Sequence, residues 1–190
     1  MINLNNCYEA ESIMVESGLE DRISDLLDLF NSFIVDELHT EITMVRGDLI
    51  DGNTLGMIID PQKDDHPYIY LCEMPLASTT VVLVHEIGHW YACRYNRDLS
   101  EKGANVESLN LLHRFSMALN FSDEEYNALV RIFEVIRSST VDETSFEDLF
   151  KCAQKRMKKT LQNIKTGSGF GKYIDLIERE IKYCYNWKAA

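Results

Sequence analysis

The distribution of glycine and proline is the feature of this 190-residue sequence that most restricts its fold. All three prolines lie within residues 61–75, and neither residue type occurs between Ala104 and Thr166. Because glycine and proline interrupt helices, a segment this long without them predicts consecutive helices joined by polar turns.

Three helices are predicted in that segment. The first carries an apolar stripe at helical spacing, formed by Val106, Leu109, Leu112, Phe115 and Leu119. The second begins at residues 122–125, where a serine precedes three acidic residues that favour a helix N-terminus. The third spans about residues 145–164, and beyond a Gly-Ser-Gly break a last amphipathic segment is predicted over residues 173–185.

The N-terminal half predicts a helix, a small sheet and a further helix. Apolar residues at steps of three and four predict an amphipathic helix over residues 17–37. The helix after the sheet is predicted from Ser78 to Tyr95, with Ser78 or Thr79 as its N-cap. Between them, short β-prone runs punctuated by glycine and proline predict an antiparallel sheet, at residues 41–45, 55–59 and 68–72.

These elements predict one α+β domain over residues 1–190, with the small sheet packed on the helix that follows it. The chain is long enough to bury about 70% of its unfolded surface in one core. The expected parts are an acidic N-terminal helix in residues 1–40, the sheet in 41–75, two central helices in 76–120 and a helical remainder in 121–190.

Acidic residues are concentrated near the N-terminus. Residues 1–60 hold 13 acidic and 2 basic side chains, residues 61–190 hold 18 and 17, and the net charge is −12. Binding to nucleic acid or to an anionic membrane needs clustered cationic charge, so neither is predicted as a partner. We interpret the N-terminal acids, and the basic run in residues 151–165, as solvated helix faces.

The sequence predicts a cytoplasmic protein. It has no apolar run near 18 residues, and its N-terminus lacks the pattern of a signal peptide. Its five cysteines are odd in number, widely spaced and without a CxxC pair, which is typical of free thiols in a reducing compartment. They are Cys7, Cys72, Cys93, Cys152 and Cys184.

A metal-binding motif lies in the apolar segment of residues 81–90. It reads His85-Glu86-Ile87-Gly88-His89, and residues four apart share one helix face, so both imidazoles can bind one ion. Zinc is the expected ion, and Glu86 beside it is the expected general base. The alternative is a core helix that buries two histidines, which is costly without a metal or another partner for them.

A catalytic zinc needs a third protein ligand. A metzincin has a glycine three residues after the second histidine and a histidine or aspartate six residues after it, and the residues here, Ala92 and Tyr95, exclude that class. We expect Glu107, on the next helix, as the third ligand together with His85 and His89. The alternatives left open are Asp98, Glu101, His113 and Glu134, with Cys72 and Cys93 less suited to a catalytic zinc.

The segment 85–89 resembles the core of the gluzincin-type zinc peptidases, and the order of the elements is similar to that of the ImmA/IrrE-like metallopeptidases. In that family a strand leads through a short loop into an apolar run, the places of Tyr68–Leu71 and Val81–Val84 here. The family's third ligand is a glutamate on the next helix, the place of Glu107. The resemblance covers roughly residues 55–135 and implies a zinc peptidase that acts on a specific intracellular protein, such as a repressor.

The sequence thus predicts a zinc-dependent endopeptidase with a protein or peptide substrate and Glu86 as general base on zinc-bound water. An extended substrate could pair with the strand at Tyr68–Leu71. Two alternatives stay open, namely a catalytically silent zincin-fold module that regulates or binds, and a non-peptidase zinc hydrolase. Candidates for stabilising the oxyanion are Tyr91, Tyr95, His113 and Arg114.

Overall fold

The computed structural model describes residues 4–26, 43–47, 55–59, 68–137 and 144–166. These residues are mostly helical with one small sheet, which confirms the α+β class. The segment predicted over 173–185 lies outside the described residues. In chain order the elements are α1 (Leu4–Glu16), α2 (described over residues 20–26), β1 (Thr43–Gly47), β2 (Gly56–Ile59), β3 (Tyr68–Cys72), α3 (Leu76–Arg94), α4 (Glu101–Ala118), α5 (Asp123–Arg137) and α6 (Phe146–Thr166).

The sheet has the strand order β1-β3-β2 and is mixed. β2 runs antiparallel to β3, with Met57 opposite Tyr70, as predicted. β1 runs parallel to β3, with Val45 opposite Tyr70, so the prediction of a wholly antiparallel sheet was wrong for this pair. Strand direction depends on the connections between strands, and residue preference does not encode it.

Strand β3 occupies the centre of the sheet. Its Ile69 and Leu71 are fully buried, and both neighbouring strands pair with it. The prediction that Tyr68–Leu71 offers a free edge for an extended substrate was therefore wrong. In the described sheet β2 is an edge strand, and it is also in contact with α3.

The N-terminal region contains two helices, α1 and α2, where one had been predicted. Gly18 ends α1 in the left-handed conformation, with φ 68°, which glycine adopts without a steric penalty. The N–H of Leu19 then donates to the Met14 carbonyl at 3.0 Å, closing a Schellman motif. Helix 17–37 is confirmed over residues 20–26, and residues 27–37 lie outside the described part. The sequence prediction missed α1, whose buried face includes the small residues Cys7 and Ala10.

Helix α3 forms the centre of the core. It packs against α1, α4, α5, β2 and β3, and 14 of its 19 residues are buried. Such a helix is held by tertiary contacts on all sides, and each fully buried large apolar side chain contributes about 1.5–3 kcal/mol.

The N-terminus of α3 is capped from another helix. Pro75 occupies the N-cap position and offers no side-chain hydrogen bond, so the prediction of Ser78 or Thr79 as N-cap was wrong. The Glu11 carboxylate of α1 accepts the N–H of Ala77 at 2.7 Å instead. A carboxylate at this end also interacts favourably with the helix dipole. The contact fixes α1 against the start of α3.

Helices α3 and α4 approach closely at Gly88. A Cβ atom on this residue would lie 2.6 Å from the Ala104 carbonyl oxygen and 2.5 Å from the Ser108 hydroxyl. The Ser108 hydroxyl also donates across the interface toward the Val84 carbonyl, at 3.2 Å. The absence of a side chain at Gly88 therefore sets the distance between the two helices.

The α3–α4 loop, residues 95–100, is called the connector below. It opens at Asn96, which has φ 49°, and the N–H of Arg97 donates to the Ala92 carbonyl at 2.8 Å. It closes at Ser100, whose hydroxyl accepts the N–H of Gly103 at 3.2 Å and caps α4. Both ends of the connector are thus held by hydrogen bonds.

The predicted starts of α5 and α6 are confirmed. Ser122 and Glu125 form a capping box, in which the hydroxyl and the carboxylate each accept a backbone N–H of the other residue. The Ser145 hydroxyl accepts the N–H of Asp148 at 3.2 Å at the start of α6. Both helices therefore begin where the sequence places their caps.

The predictions on membrane-spanning helices and on free cysteines can be compared with the described residues. None of the helices within them combines the length and the apolar composition needed to cross a bilayer. Among the same residues Cys7, Cys72, Cys93 and Cys152 form no disulfide. Cys184 lies outside the described part of the chain.

We expect Gly88→Ala to lower the free energy of unfolding by about 1–3 kcal/mol, since the new methyl group meets backbone of α4. Alanine is intrinsically a better helix former than glycine by about 1 kcal/mol, so helix propensity alone would stabilise the protein. A loss of stability would therefore indicate a steric clash with α4. Urea unfolding followed by circular dichroism measures it. Asn127→Ala, on the exposed face of α5, is the matched control and should be neutral or stabilising. A stabilised Gly88→Ala protein would contradict the close contact.

Candidate metal centre

His85 and His89 lie one turn apart on the side of α3 that faces α4. Their side chains are 15% and 18% exposed, so they border the core and remain accessible. The two rings meet edge to face, with centroids 4.8 Å apart and an interplanar angle of 87°. The prediction that the two imidazoles share one helix face is thus confirmed.

The third donor beside these histidines is Glu101, the first residue of α4. One carboxylate oxygen lies 3.1 Å from Nε2 of His85, and the other lies 3.3 Å from Nε2 of His89. The two Nε2 atoms are 3.2 Å apart. Two nitrogen donors and one carboxylate therefore converge from two helices.

The spacing of these donors fits a small tetrahedral ion. With metal–nitrogen distances of about 2.0–2.1 Å, tetrahedral ligand atoms lie about 3.3–3.4 Å from one another. The observed separations of 3.1–3.3 Å are close to this value. Two imidazoles and a carboxylate are also a common ligand set of catalytic zinc sites. The three side chains could hold a metal ion with little rearrangement.

Asn105 orients the ring of His85. Its side-chain oxygen lies 3.0 Å from Nδ1 and can only accept, so Nδ1 carries the proton. Nε2 then faces Glu101 and His89, and once it is unprotonated its lone pair would be directed to an ion between them. Such a hydrogen bond to the distal nitrogen is the usual way in which a metal-binding histidine is oriented.

The cluster attracts a positive charge. Burial acts to lower the pKa of His85, but the hydrogen bond with Glu101 and the charges of Glu86 and Glu101 outweigh it and raise the pKa above 6.5. Hydrogen bonds from His85 and His89 in turn hold the pKa of Glu101 far below its usual range. The acidic groups around His85 therefore favour its positively charged form.

Glu86 is buried between α3 and the sheet. It is 6% exposed, and burial raises the pKa of its carboxyl group, while the nearby charges of His85 and His89 oppose the shift. A backbone hydrogen bond from Ile58 of β2 holds the carboxylate. Gly56 permits this approach, since a Cβ atom there would lie 3.2 Å from a Glu86 carboxylate oxygen and 2.5 Å from Val82.

Glu107, expected as the third ligand, is not brought to the histidines. Its side chain is 1% exposed, and its two oxygens pair with Arg97 at 2.5 Å and Arg156 at 3.1 Å. Glu107 follows Glu101 by six residues, which is about 240° around a helix with 3.6 residues per turn. The two carboxylates therefore leave α4 in different directions, and Glu101 lies beside His85 and His89 in the place expected for Glu107.

The other expected candidates also lie outside this cluster of donors. Asp98 accepts the N–H of Ser100 at 3.0 Å, and Glu134 is exposed on α5. His113 is buried edge-on against Tyr126, where burial and Arg114 lower its pKa to about 4. Cys72 and Cys93 are likewise not among the converging atoms.

The sequence carried a signal for Glu101 that the prediction did not use. Glu101, Ala104, Asn105 and Ser108 recur at steps of three and four, a stripe of small and polar residues. Gly88 is the matching small residue of the motif helix, and α4 packs this stripe against it. Two of the residues predicted to stabilise an oxyanion, Tyr91 and Tyr95, contact each other, with ring centroids 4.6 Å apart and ring planes tilted by 47°.

Comparison of the chain with protein-family models, with curated proteins and with solved structures gives no match. The resemblance to the ImmA/IrrE-like metallopeptidases therefore stays a prediction, carried by residues 85–89 and the order of the elements.

We expect Glu101→Gln to weaken zinc binding by more than about tenfold, a loss that removal of an outer-shell partner alone can cause. The amide keeps the shape of the side chain and removes the charge that faces both histidines. Competition with a chromophoric chelator measures the dissociation constant. Glu134→Gln, the same change at an exposed site of α5, should bind zinc like the unaltered chain. Equal affinities for all three proteins would exclude Glu101 as a ligand.

Zinc affinity should rise with pH through the range above 6.5. Because the pKa of His85 is raised in the folded, metal-free chain, a proton occupies the ring there and must leave before the nitrogen can bind metal. The gain is at most about tenfold per pH unit for each proton released, and it ends above the raised pKa. Calorimetric titration with zinc at several pH values tests this, and an affinity independent of pH between 6 and 8 would contradict it.

Proposed function

We propose that the protein is a zinc-dependent endopeptidase that hydrolyses a peptide bond of a specific intracellular protein. The observation that carries the proposal is the convergence of two imidazoles and a carboxylate at 3.1–3.3 Å, directly beside a buried glutamate. A purely structural site has no need of a carboxylate such as Glu86 held next to the ligands but outside their group. A cytoplasmic setting, suggested by the cysteine pattern, is part of this proposal.

His85, His89 and Glu101 would hold the ion, and Asn105 would keep the His85 ring in the tautomer that binds. Bound zinc would supply a Lewis acid that lowers the pKa of water toward about 7 and polarises a carbonyl group. Three protein ligands leave a fourth tetrahedral position for water or substrate, as catalysis requires. The exposure of both histidine rings is consistent with access from solvent.

Glu86 would act as the general base and then as the general acid. This role is supported by its position next to His85 in the chain and by the effect of both histidine charges on its pKa. Burial raises the pKa of its carboxyl group, and a raised pKa suits a group that takes a proton from water and passes it to the leaving amine. The N–H of Ile58 keeps the carboxylate oriented for both transfers.

β2 is the strand that we propose for contact with the substrate. It is an edge strand of the described sheet and approaches α3 at Gly56, next to Glu86. An extended peptide that pairs with β2 would pass beside the ligand cluster, and main-chain hydrogen bonds would supply affinity. This strand replaces Tyr68–Leu71, which lies in the interior of the sheet.

Glu86→Gln should retain one zinc per chain and lose peptide cleavage by about 100-fold or more, since the amide cannot accept a proton. Metal content by mass spectrometry and cleavage of a peptide library derived from cytoplasmic proteins are the two readouts. Glu73→Gln, the same change at an exposed residue before α3, is the matched control and should keep both the zinc and the cleavage activity.

Anomalous scattering at the zinc edge from crystals of the unaltered chain would identify the metal and its ligands together. A purified, well-folded chain that binds no zinc would refute the proposed function. Undiminished cleavage by Glu86→Gln would refute only the role of Glu86 as general base.

A further inference from the structure

The connector determines where Glu101 stands. Glu101 is the first residue of α4 and follows the connector directly, and its side chain is 55% exposed. An exposed glutamate side chain is not held by packing and has several accessible rotamers. The position of its backbone therefore decides whether the carboxylate can reach both histidines. A ligand must be kept within about 0.5 Å of its productive place by the groups that support it.

The side chain of Arg97 contacts both helices that the connector joins. Its guanidinium lies over the rings of Tyr91 and Tyr95, 4.8 and 5.2 Å from their centroids, and so stacks on the last turn of α3 and the residue after it. The same group pairs with Glu107 of α4 at 2.5 Å. Arg97 thus joins the end of α3 to the second turn of α4 across the connector.

Glu107 makes this attachment stiff. Its carboxylate is 1% exposed, and a buried charge that loses its partner is strongly unfavourable. The second oxygen is held by Arg156 of α6 at 3.1 Å, so the carboxylate is fixed from two sides. Any displacement of the connector that separates Arg97 from Glu107 therefore meets a large penalty.

We propose that Arg97 and Glu107 are positioning residues of the metal centre, which hold the connector so that Glu101 stays in contact with His85 and His89. This inference rests on the proposed metal site. Neither residue touches the donor atoms, and both act through the backbone that carries Glu101. Arg156 serves a different purpose, since it joins Glu107 to α6 and has no contact with the connector through that pair.

The experiment measures zinc affinity by chelator competition, the visible spectrum of the cobalt-substituted protein, and unfolding of the metal-free chain in urea. Arg97→Met should weaken zinc binding by about tenfold or more and reduce the tetrahedral cobalt absorption, at temperatures where the protein remains folded. Arg97→Lys keeps a charge for Glu107 and loses the planar stacking, so its zinc affinity should lie between those of the unaltered chain and Arg97→Met. Arg131→Met, the same change on the exposed face of α5, should leave all three quantities unchanged.

Two further variants separate positioning from general loss of structure. Arg156→Met should destabilise the metal-free chain while weakening zinc binding less than Arg97→Met does, because Glu107 stays paired with Arg97. In the Glu101→Gln background, Arg97→Met should cause no further loss of affinity, since the ligand that it positions is already absent. An additive loss would mean that Arg97 acts on the site by another route and would overturn the proposal.

Folded Arg97→Met protein that binds zinc like the unaltered chain also overturns the proposal, while leaving the proposed function intact. If Arg97→Met does not fold, Glu107→Gln decides by the same criterion, with a tenfold loss of affinity expected and an unchanged affinity refuting the proposal. Failure of the unaltered chain to bind zinc would instead refute the proposed function itself.

Discussion

The close packing of α3 against α4 at Gly88 is the contact on which the site depends. With no side chain there, the backbone of α4 at Ala104 and the hydroxyl of Ser108 come within the space that a methyl group would occupy. The same stripe of α4 continues to Asn105 and Glu101, which meet the histidines one turn along. A wider separation of the helices would remove the tautomer control and the third donor together.

Charged groups around the site are arranged in two separate sets on α4. Glu101 faces the histidines at the solvent border, where its negative charge favours a cation. Glu107 leaves α4 on another side, where it is buried and paired with two arginines. The paired carboxylate of Glu107 therefore joins the connector and α6 to α4, and the carboxylate of Glu101 remains beside the histidines.

Several parts of this arrangement could be predicted from particular residues. The pair His85 and His89 follows from a four-residue spacing, and the start of α5 follows from Ser122 and Glu125, because both depend on contacts within one helix. The choice between Glu101 and Glu107 could not be made in this way. Both are glutamates in α4 near its N-terminus, and the rotation of α4 about its own axis against α3 decides which one meets the histidines.

The sequence by itself determined the helices described between residues 101 and 166, the paired histidines and the neighbouring Glu86, since breakers, caps and helical spacing act over a few residues. Only the tertiary structure decided the mixed sheet, the cap of α3 by Glu11, and the third donor. Each of these joins segments far apart in the chain. Their geometry depends on which surfaces the core brings together, and the Arg97–Glu107 pair across the connector is set in the same way.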